Sequence, residues 1–486
     1  MKRMLDKEQL IKYNLLTYLE KNKSVSYEEL EDELHLSRKT LKKYLLLLID
    51  DLNEFESNAF IYPSLHNVTF KYGFEFSAQE LMSRFIVSSL RYKILEYALY
   101  HSNNNKLNFI QKENISESTY YRLLKDVNDT ILTSFKIKIN SNLTLIGDEH
   151  QIRYFYYTLY NEINLKETFE IDFHYYDELS PLLSLLENTF NVSLAAINKE
   201  QFQVLYHICK TRNFQGHKMT ITIEMKKITR NNRILELVLE KTEHYFEHLI
   251  GETWKEDLTF FYIISNSFPL FNDTPKMMKL AYDEHIRSKN ILYRYIEQFT
   301  HSLKKQLPQL ELNEQLEGKI IQFYCRILVF DGYLITETGP LYLKYFKKHR
   351  PYYLAVLEEV FQELIDFYKT DNDLLFIVFH SLMIDNTLDY SKVMPHTTIA
   401  IESGADPVLV NFYTRQIRYQ ISDDYHVIIS PYHIDKTYDI VLSDQFNNHP
   451  NATFTYRIRI FPDAEQGQRI KGIIKELNVR KIDGSL

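Results

Sequence analysis

Cysteine is nearly absent: the 486 residues hold two, Cys209 and Cys325, far apart and without partners at metal-binding spacing. A disulfide framework and a zinc site are thereby excluded, and reduced thiols suit a cytoplasmic protein. Glycine is scarce, at 11 residues, and no Gly-rich loop of the kind that cradles nucleotide phosphates is found. No stretch reaches the ~18 apolar residues of a membrane span. The nearest, Leu258 to Phe271, is broken by Ser, Asn and Pro. The N-terminus lacks the uninterrupted apolar region of a signal peptide. Excess positive charge is missing too. A formal net charge of -8 excludes a general polyanion binder, so any nucleic-acid contact must come from local basic patches. A cytoplasmic protein without metal or cofactor, and not an enzyme, is the expectation.

What is present starts with a helix-turn-helix outline. After an amphipathic helix over 5–22, Leu30 to Asp51 reads as a short helix, a turn at His35 and Leu36, and a second helix with Ser37 as N-cap. Leu41, Tyr44, Leu45, Leu48 and Leu52 recur at helical spacing and predict a packed face. Arg38, Lys39, Lys42 and Lys43 crowd the helix start. Cations there oppose the helix dipole, and phosphate is the compensating partner. The alternating pieces AFIY and NVTFKYGF that follow read as a wing hairpin.

The same module recurs. ISESTYYRLLKDVNDT aligns without gaps to LSRKTLKKYLLLLIDD, pairing Ser37 with Ser116, Thr40 with Thr119, Lys43 with Arg122 and Leu45 with Leu124. Internal similarity of this kind marks two copies of one unit. Tyr120, Leu123, Val127 and Ile131 predict its packed stripe, and FKIKIN and LTLIG a second wing, expected to be the more regular one. A lone serine-capped basic helix is commonly a solvated surface helix, whereas two aligned copies, each with a wing, point to DNA. The candidate DNA-binding residues are Ser37, Arg38, Lys39, Thr40, Lys42, Lys43, Ser116, Ser118, Thr119, Tyr121, Arg122 and Lys125.

From about 150 to 395 the pattern is almost wholly helical, and the loop FPLFNDTPK, between Pro269 and Pro275, divides it into two bundles. In INKEQFQVLYHICKTR, taken as capped by Asn198, His207 shares a side with Gln203 and Lys210, away from Phe202, Leu205 and Cys209. It is therefore expected to be reachable by another protein. His380 sits among Phe376, Ile377, Met383 and Ile384, which reads as a core or interface histidine. The last segment alternates strands (TIAIES, YHVIIS, YDIVLS, RIRIF) with helices over 407–421 and in QRIKGIIKELN, indicating a small α/β domain with a mostly parallel sheet. Its first loop, Glu402 to Asp406, carries two acids and no Lys, so anion binding there is not expected.

The second reader ISESTYYRLLKDVN, its sequel LTLIGDEHQIRYFYYTLY, the segment YHICKTRNFQGHKM and the cysteine-free terminal domain together resemble the Mga/AtxA family of global virulence and metabolism regulators of low-GC Gram-positive bacteria. The resemblance covers essentially the whole chain. It implies five domains: two winged helix-turn-helix units at 1–72 and 73–160, two all-helical phosphotransferase-system (PTS) regulation domains at 161–275 and 276–395, and an enzyme IIB-like domain at 396–486. It also implies that His207, followed by Arg212, and His380 accept phosphate from the sugar-uptake phosphorelay, with His217, His285 and His301 as lesser candidates. A phosphoryl group adds about -1.5 to -2 charge, so at His380 it would repack an apolar interface. True enzyme IIB domains carry a cysteine in the loop matching Glu402 to Gly404. None is there, which implies self-association instead of phosphoryl transfer. The partners implied are promoter duplex, a PTS phosphocarrier and a second copy of the chain. Similar regulation domains occur in RNA-binding antiterminators, the alternative reading, but two N-terminal helix-turn-helix copies argue against an RNA module.

Overall fold

The computed structural model describes residues 2–55, 58–101, 106–163, 175–250, 254–268, 270, 274–306, 314–332, 339–349, 354, 357–358, 360–364, 373–385, 396–421, 425–461 and 463–482. The chain divides into two compact units, one of 1–290 with 322–336 and one of 291–321 with 337–486. The architecture is mainly helical, with a helix-turn-helix region near the N-terminus and a small sheet at the C-terminal end.

The first unit opens with α1 (Lys7–Asn22), β1 (Ser24–Ser26), α2 (Tyr27–Leu34) and α3 (Arg38–Glu54), followed by β2 (Ala59–Pro63) and β3 (Asn67–Tyr72). The three strands form an antiparallel sheet in the order β1-β3-β2. Val68 and Phe70 of β3 alternate inward with Ala59 and Ile61 of β2, as a half-buried hairpin requires. Val25, in a strand that periodicity did not reveal, pairs with Val68 and adds a third edge. Buried Lys12 of α1 meets Asp51 of α3 at 2.7 Å.

The second module consists of α4 (Ala78–Ser88), α5 (Leu90–Tyr100), α6 (Lys106–Lys112), α7 (Glu117–Val127), β4 (Lys138–Ile139), β5 (Leu145–Ile146) and α8 (Glu149–Ile163). Contrary to expectation its hairpin is the less regular of the two, with strands of two residues against five and six in the first. On the edge of β4 that faces away from β5, the Asn128 side chain donates to the Ile139 carbonyl and accepts from the Ile139 amide, both at 2.8 Å, standing where β1 supplies a third strand in the first hairpin.

α9 (Tyr175–Phe190), α10 (Ala196–Phe214), α11 (Ile223–Thr229), α12 (Arg233–Ile250), α13 (Trp254–Ser267) and α14 (Pro275–Ser288) build the first bundle. Asn198 is not the cap of α10. The cap is Ala195, three residues earlier, and Asn198 is buried within the helix. Of the expected dividing loop, Pro269 and 271–273 lie outside the described residues, while Pro275 opens α14 behind the Thr274 cap. α8 joins this bundle to the second module. Its Tyr154 hydroxyl donates to the Gly332 carbonyl at 3.0 Å, and Gln151 exchanges hydrogen bonds with the Asp331 backbone.

The second unit holds α15 (Ile291–Gln306), α17 (Gly339–His349) and α18 (Asp373–Asp385), and α16 (Glu314–Val329) runs from it into the first unit. Its terminal part is β6 (Thr397–Glu402), α19 (Pro407–Ile421), β7 (Val427–Pro431), β8 (Tyr438–Ser443), β9 (Ala452–Arg457) and α20 (Ala464–Ile482). The sheet is wholly parallel in the order β7-β6-β8-β9. Ile399, Ile401, Ile440 and Leu442 pack with Tyr413 and Ile417 of α19 and Ile470 and Ile474 of α20. The last strand is ATFTYR and not RIRIF. Ile458 is the first residue past it and still bonds to Ser443, so the apolar alternation runs on beyond the ladder.

Two outcomes test this packing. Gly332 has a φ of +83°, and a Cβ there would meet Phe135 and the Ser134 carbonyl at under 3 Å. Gly332→Ala should cost about 1–3 kcal/mol in urea unfolding of the full chain. His285 is fully buried, its Nδ1 2.6 Å from the Asn290 amide, and burial pushes its pKa down to about 4. The unfolded chain binds that proton near pH 6.5, so the stability contributed by the neutral ring is complete above 6.5 and is lost as pH falls towards 4, by about 3 kcal/mol. His285→Gln should flatten the pH dependence of unfolding in that window.

Candidate functional site

Each reader is built by the same local chemistry. α2 starts on a capping box in which the Glu29 amide donates to Ser26 Oγ and the Ser26 amide donates to the Glu29 carboxylate. It ends at His35, which is left-handed at φ 52°, and Leu36 N–H donates to the Glu31 carbonyl. In the second reader Asn114 takes the same place at φ 50°, and Ile115 N–H donates to Ile110. These are residues at one offset making the same helix-ending bonds. Ser37 and Ser116 then cap α3 and α7 by accepting from the Thr40 and Thr119 amides. The threonine hydroxyls close each cap at 2.9 Å from the serine oxygens, and Ser118 lies 2.9 Å from Ser116. Ser37, Thr40, Ser116 and Thr119 thus shape the turn that presents the helix. Below it Leu41, Leu45, Leu48 and Leu52 are buried in one copy, and Tyr120, Leu124, Val127 and Ile131 at the matching positions in the other.

The exposed faces differ. In the first reader Lys39, Lys42 and Lys43 are exposed, with Leu46 at 62% beside them. Arg38 is more constrained. Its guanidinium lies 4.0 Å from the Tyr27 ring centroid, donates to the Leu65 carbonyl at 3.5 Å and approaches Glu31 at 3.9 Å. It therefore links the helix tip to the hairpin tip. Tyr27 and Leu65 are contributions that the spacing pattern did not reveal, because they lie outside the basic run.

In the second reader Tyr121, Arg122 and Lys125 are exposed. Lys106 donates to Glu117 and to the Tyr121 hydroxyl, both at 2.8 Å, so an acid at the helix tip is neutralised and the tyrosine is pinned. These bonds hold Glu117 below the usual carboxylate range. Asp126 is taken by Arg91 at 2.6 Å. α7 balances two acids against two bases, whereas α3 carries four cations in its first two turns and its acids only in the last. Lys106 stands 11 residues before Glu117, too far for local spacing to have signalled the pair.

The histidine sites depart from expectation. His207 is buried, at 5% exposure, and so is Gln203 on the same side. The face taken as open is covered by another helix. Tyr100, the last residue of α5, brings its hydroxyl 2.9 Å from His207 Nε2, with the rings 5.7 Å apart. Burial, then Lys210, pushes the His207 pKa down to about 4, leaving a neutral ring near pH 7. Arg212 pairs with Glu149 at 2.8 Å. His380, in the other unit, is fully buried with the rings of Phe299 and Phe361 each at 5.4 Å. His285 is buried, His217 half-buried and His301 exposed. Cys209 and Cys325 are buried, with burial raising both thiols to about 12, so neither is a nucleophile near neutrality.

At the C-terminal ends of β6 and β8, where a parallel sheet of this order opens its crevice, the space is filled from within. Glu402 accepts from Ser443 at 2.7 Å and Asn447 at 3.1 Å, and lies 2.8 Å from His449 Nε2. Asp444 accepts from Ser403 Oγ at 2.6 Å and the Gly404 amide at 3.2 Å. Two carboxylates thus hold the donors that an anion would need. Among the described residues no cluster of His, Cys, Asp and Glu suited to a metal is found, and no helix is long and apolar enough to cross a membrane.

Comparison with known proteins matches residues 74–160, the span of α4 to α8, to the Mga helix-turn-helix domain. The chain is also similar to the anthrax toxin expression trans-acting positive regulator of Bacillus anthracis, 24% identical over 214 residues, which is 44% of this chain and 44% of that protein. The aligned part is thus under half of either chain. The matching domain and this relative both support a likeness to the Mga/AtxA family over the parts they cover.

Proposed function

We propose that this protein is a DNA-binding transcription regulator. Two winged helix-turn-helix units, 1–72 and 73–160, grip promoter duplex, and the remainder controls when they do so. The observation that carries the reading is the pair of serine-capped helices at one offset, each after the same left-handed turn residue and each exposing cations above a packed leucine-type stripe. The relative's name, a positive regulator of expression, agrees with it. The charge distribution assigns the leading role to the first reader. Lys39, Lys42 and Lys43 meet backbone phosphates, Arg38 fixes helix tip against hairpin tip, and Tyr121, Arg122 and Lys125 of the second reader supply further contacts.

The helical parts, 161–275 and 276–395, act as PTS regulation domains in which a phosphocarrier transfers phosphate to His207 and His380. A neutral imidazole is the nucleophilic form. Because both rings are buried, each must be uncovered to react, and a new dianion in either place repacks what surrounds it. The terminal domain, 396–486, is enzyme IIB-like and inactive in phosphoryl transfer, its crevice being occupied by Glu402 and Asp444, and it contributes to homodimerisation in the cytoplasm.

Titration of a duplex promoter fragment against salt tests the readers. Lys39→Ala with Lys42→Ala should weaken binding uniformly across sequences and reduce the slope of log K against log salt by roughly one per lost phosphate contact. Arg122→Ala should do less. An unchanged slope in the first variant, or equal affinity for structured leader RNA, would overturn the assignment. Incubation with the phosphocarrier system and labelled phosphoenolpyruvate tests control: the label expected on wild type should disappear in the double His207→Ala, His380→Ala variant, and equal labelling would remove these acceptors.

A further inference from the structure

His207 is covered by a side chain of the reader itself. Tyr100 closes α5, within the matched reader domain. Its hydroxyl meets both Tyr160 and the His207 ring. The Tyr160 hydroxyl donates to the Tyr100 oxygen at 3.4 Å, and Tyr100 lies 2.9 Å from His207 Nε2. When Tyr100 donates its proton to the imidazole, Nε2 is the lone-pair nitrogen and Nδ1 carries the ring proton. The end of α5 is held to the same helix a second time, where Gln215 donates to the Leu99 carbonyl at 2.8 Å. The nucleophilic nitrogen of the sensor and the last turn of a reader helix are therefore joined by one hydrogen bond.

We infer that Tyr100 is the positioning residue that gates His207 and reports its state to the second reader: Nε2 takes a phosphoryl group only when the end of α5 lifts from α10, and a phosphorylated ring cannot take the Tyr100 bond again. This rests on the reading of His207 as a phosphoryl acceptor. In the step, the bond between the donor's nitrogen and phosphorus breaks and its electron pair stays on the donor. The Nε2 lone pair forms the new N–P bond, and Nδ1 keeps its proton. Nε2 then has no lone pair to accept with, and a group of about -1.5 to -2 charge stands where Tyr100 and Tyr160 had packed. Linkage makes the coupling reciprocal. If DNA binding by the second reader shifts the end of α5, duplex must change the reactivity of His207.

The test uses the full chain and potassium phosphoramidate, a small chemical donor to histidine nitrogens that needs no docking face, with the labelled residue identified by mass spectrometry. Tyr100→Phe keeps the ring and removes the hydroxyl. Initial labelling of His207 should rise about threefold to tenfold, the range expected for loss of one hydrogen bond from the ground state. In wild type, a footprinted promoter duplex should change the rate, and in Tyr100→Phe that response should be lost. Tyr160→Phe, which leaves the Tyr100 hydroxyl in place but unsupported, should fall between the two. Label on His207 with equal rates and an equal duplex response in wild type and Tyr100→Phe would overturn the gate. Absence of label from His207 in all three proteins would instead overturn the acceptor reading on which it stands.

Discussion

The first unit depends on a buried charge. Arg153 of α8 is fully buried, and its guanidinium bonds to Glu149, to Asp257 of α13, to the Asn213 side chain and to the His217 carbonyl. Glu149 in turn accepts from Arg212 of α10. A buried pair of this kind adds little net stability over an apolar core, but removing one partner leaves a stranded charge at a cost of about 3–5 kcal/mol. Its effect is specificity. It permits one arrangement of α8 against α10 and α13, and α8 is the last helix of the reader domain. Reader and bundle therefore share an element fixed in register by buried, mutually paired charges.

Around that point the contact is aromatic. Tyr154, Tyr156, Tyr157 and Tyr160 of α8 are all buried, and the hydroxyls of Tyr154, Tyr156 and Tyr160 bond to backbone carbonyls or another hydroxyl. A tyrosine-lined joint combines large apolar area with directional hydroxyls. It can be tight and still hold a polar group such as the His207 ring. A leucine-lined joint would exclude the imidazole. The abundance of tyrosine in the composition thus has a structural meaning at the junction between the helix-turn-helix domain and the helical bundle.

The two readers use one scaffold with different electrostatics. Both depend on a serine cap, a left-handed turn residue and four buried positions, which are backbone and packing requirements. The tips are freer to differ. The first keeps three lysines exposed and ties its arginine between Tyr27 and the hairpin, whereas the second sets Lys106 against its own Glu117. A duplicated fold can in this way divide the labour between a strongly phosphate-seeking copy and a nearly neutral one. The terminal domain follows a similar logic, since its parallel sheet retains a crevice while Glu402 and Asp444 occupy it.

The sequence by itself determined the local structure: where helices start, at Ser37 and Ser116; which residues face inward, at Leu41, Leu45 and Leu48; and that a parallel sheet ends the chain. Caps, periodicity and turn residues act over a few positions, so they are written locally. The absence of a cysteine near Glu402 was equally legible. Tertiary structure alone decided the environment of each functional side chain. Periodicity gave His207 a polar side with Gln203 and Lys210, but it cannot say whether a polar side meets water or a second helix bearing a hydroxyl. Tyr100 covers it from 107 residues upstream. In the same way Asn128 bonds the outer edge of β4 as a strand would, and Tyr27 captured Arg38. Each is a contact between residues that local pattern treats as independent, and only packing brings them together.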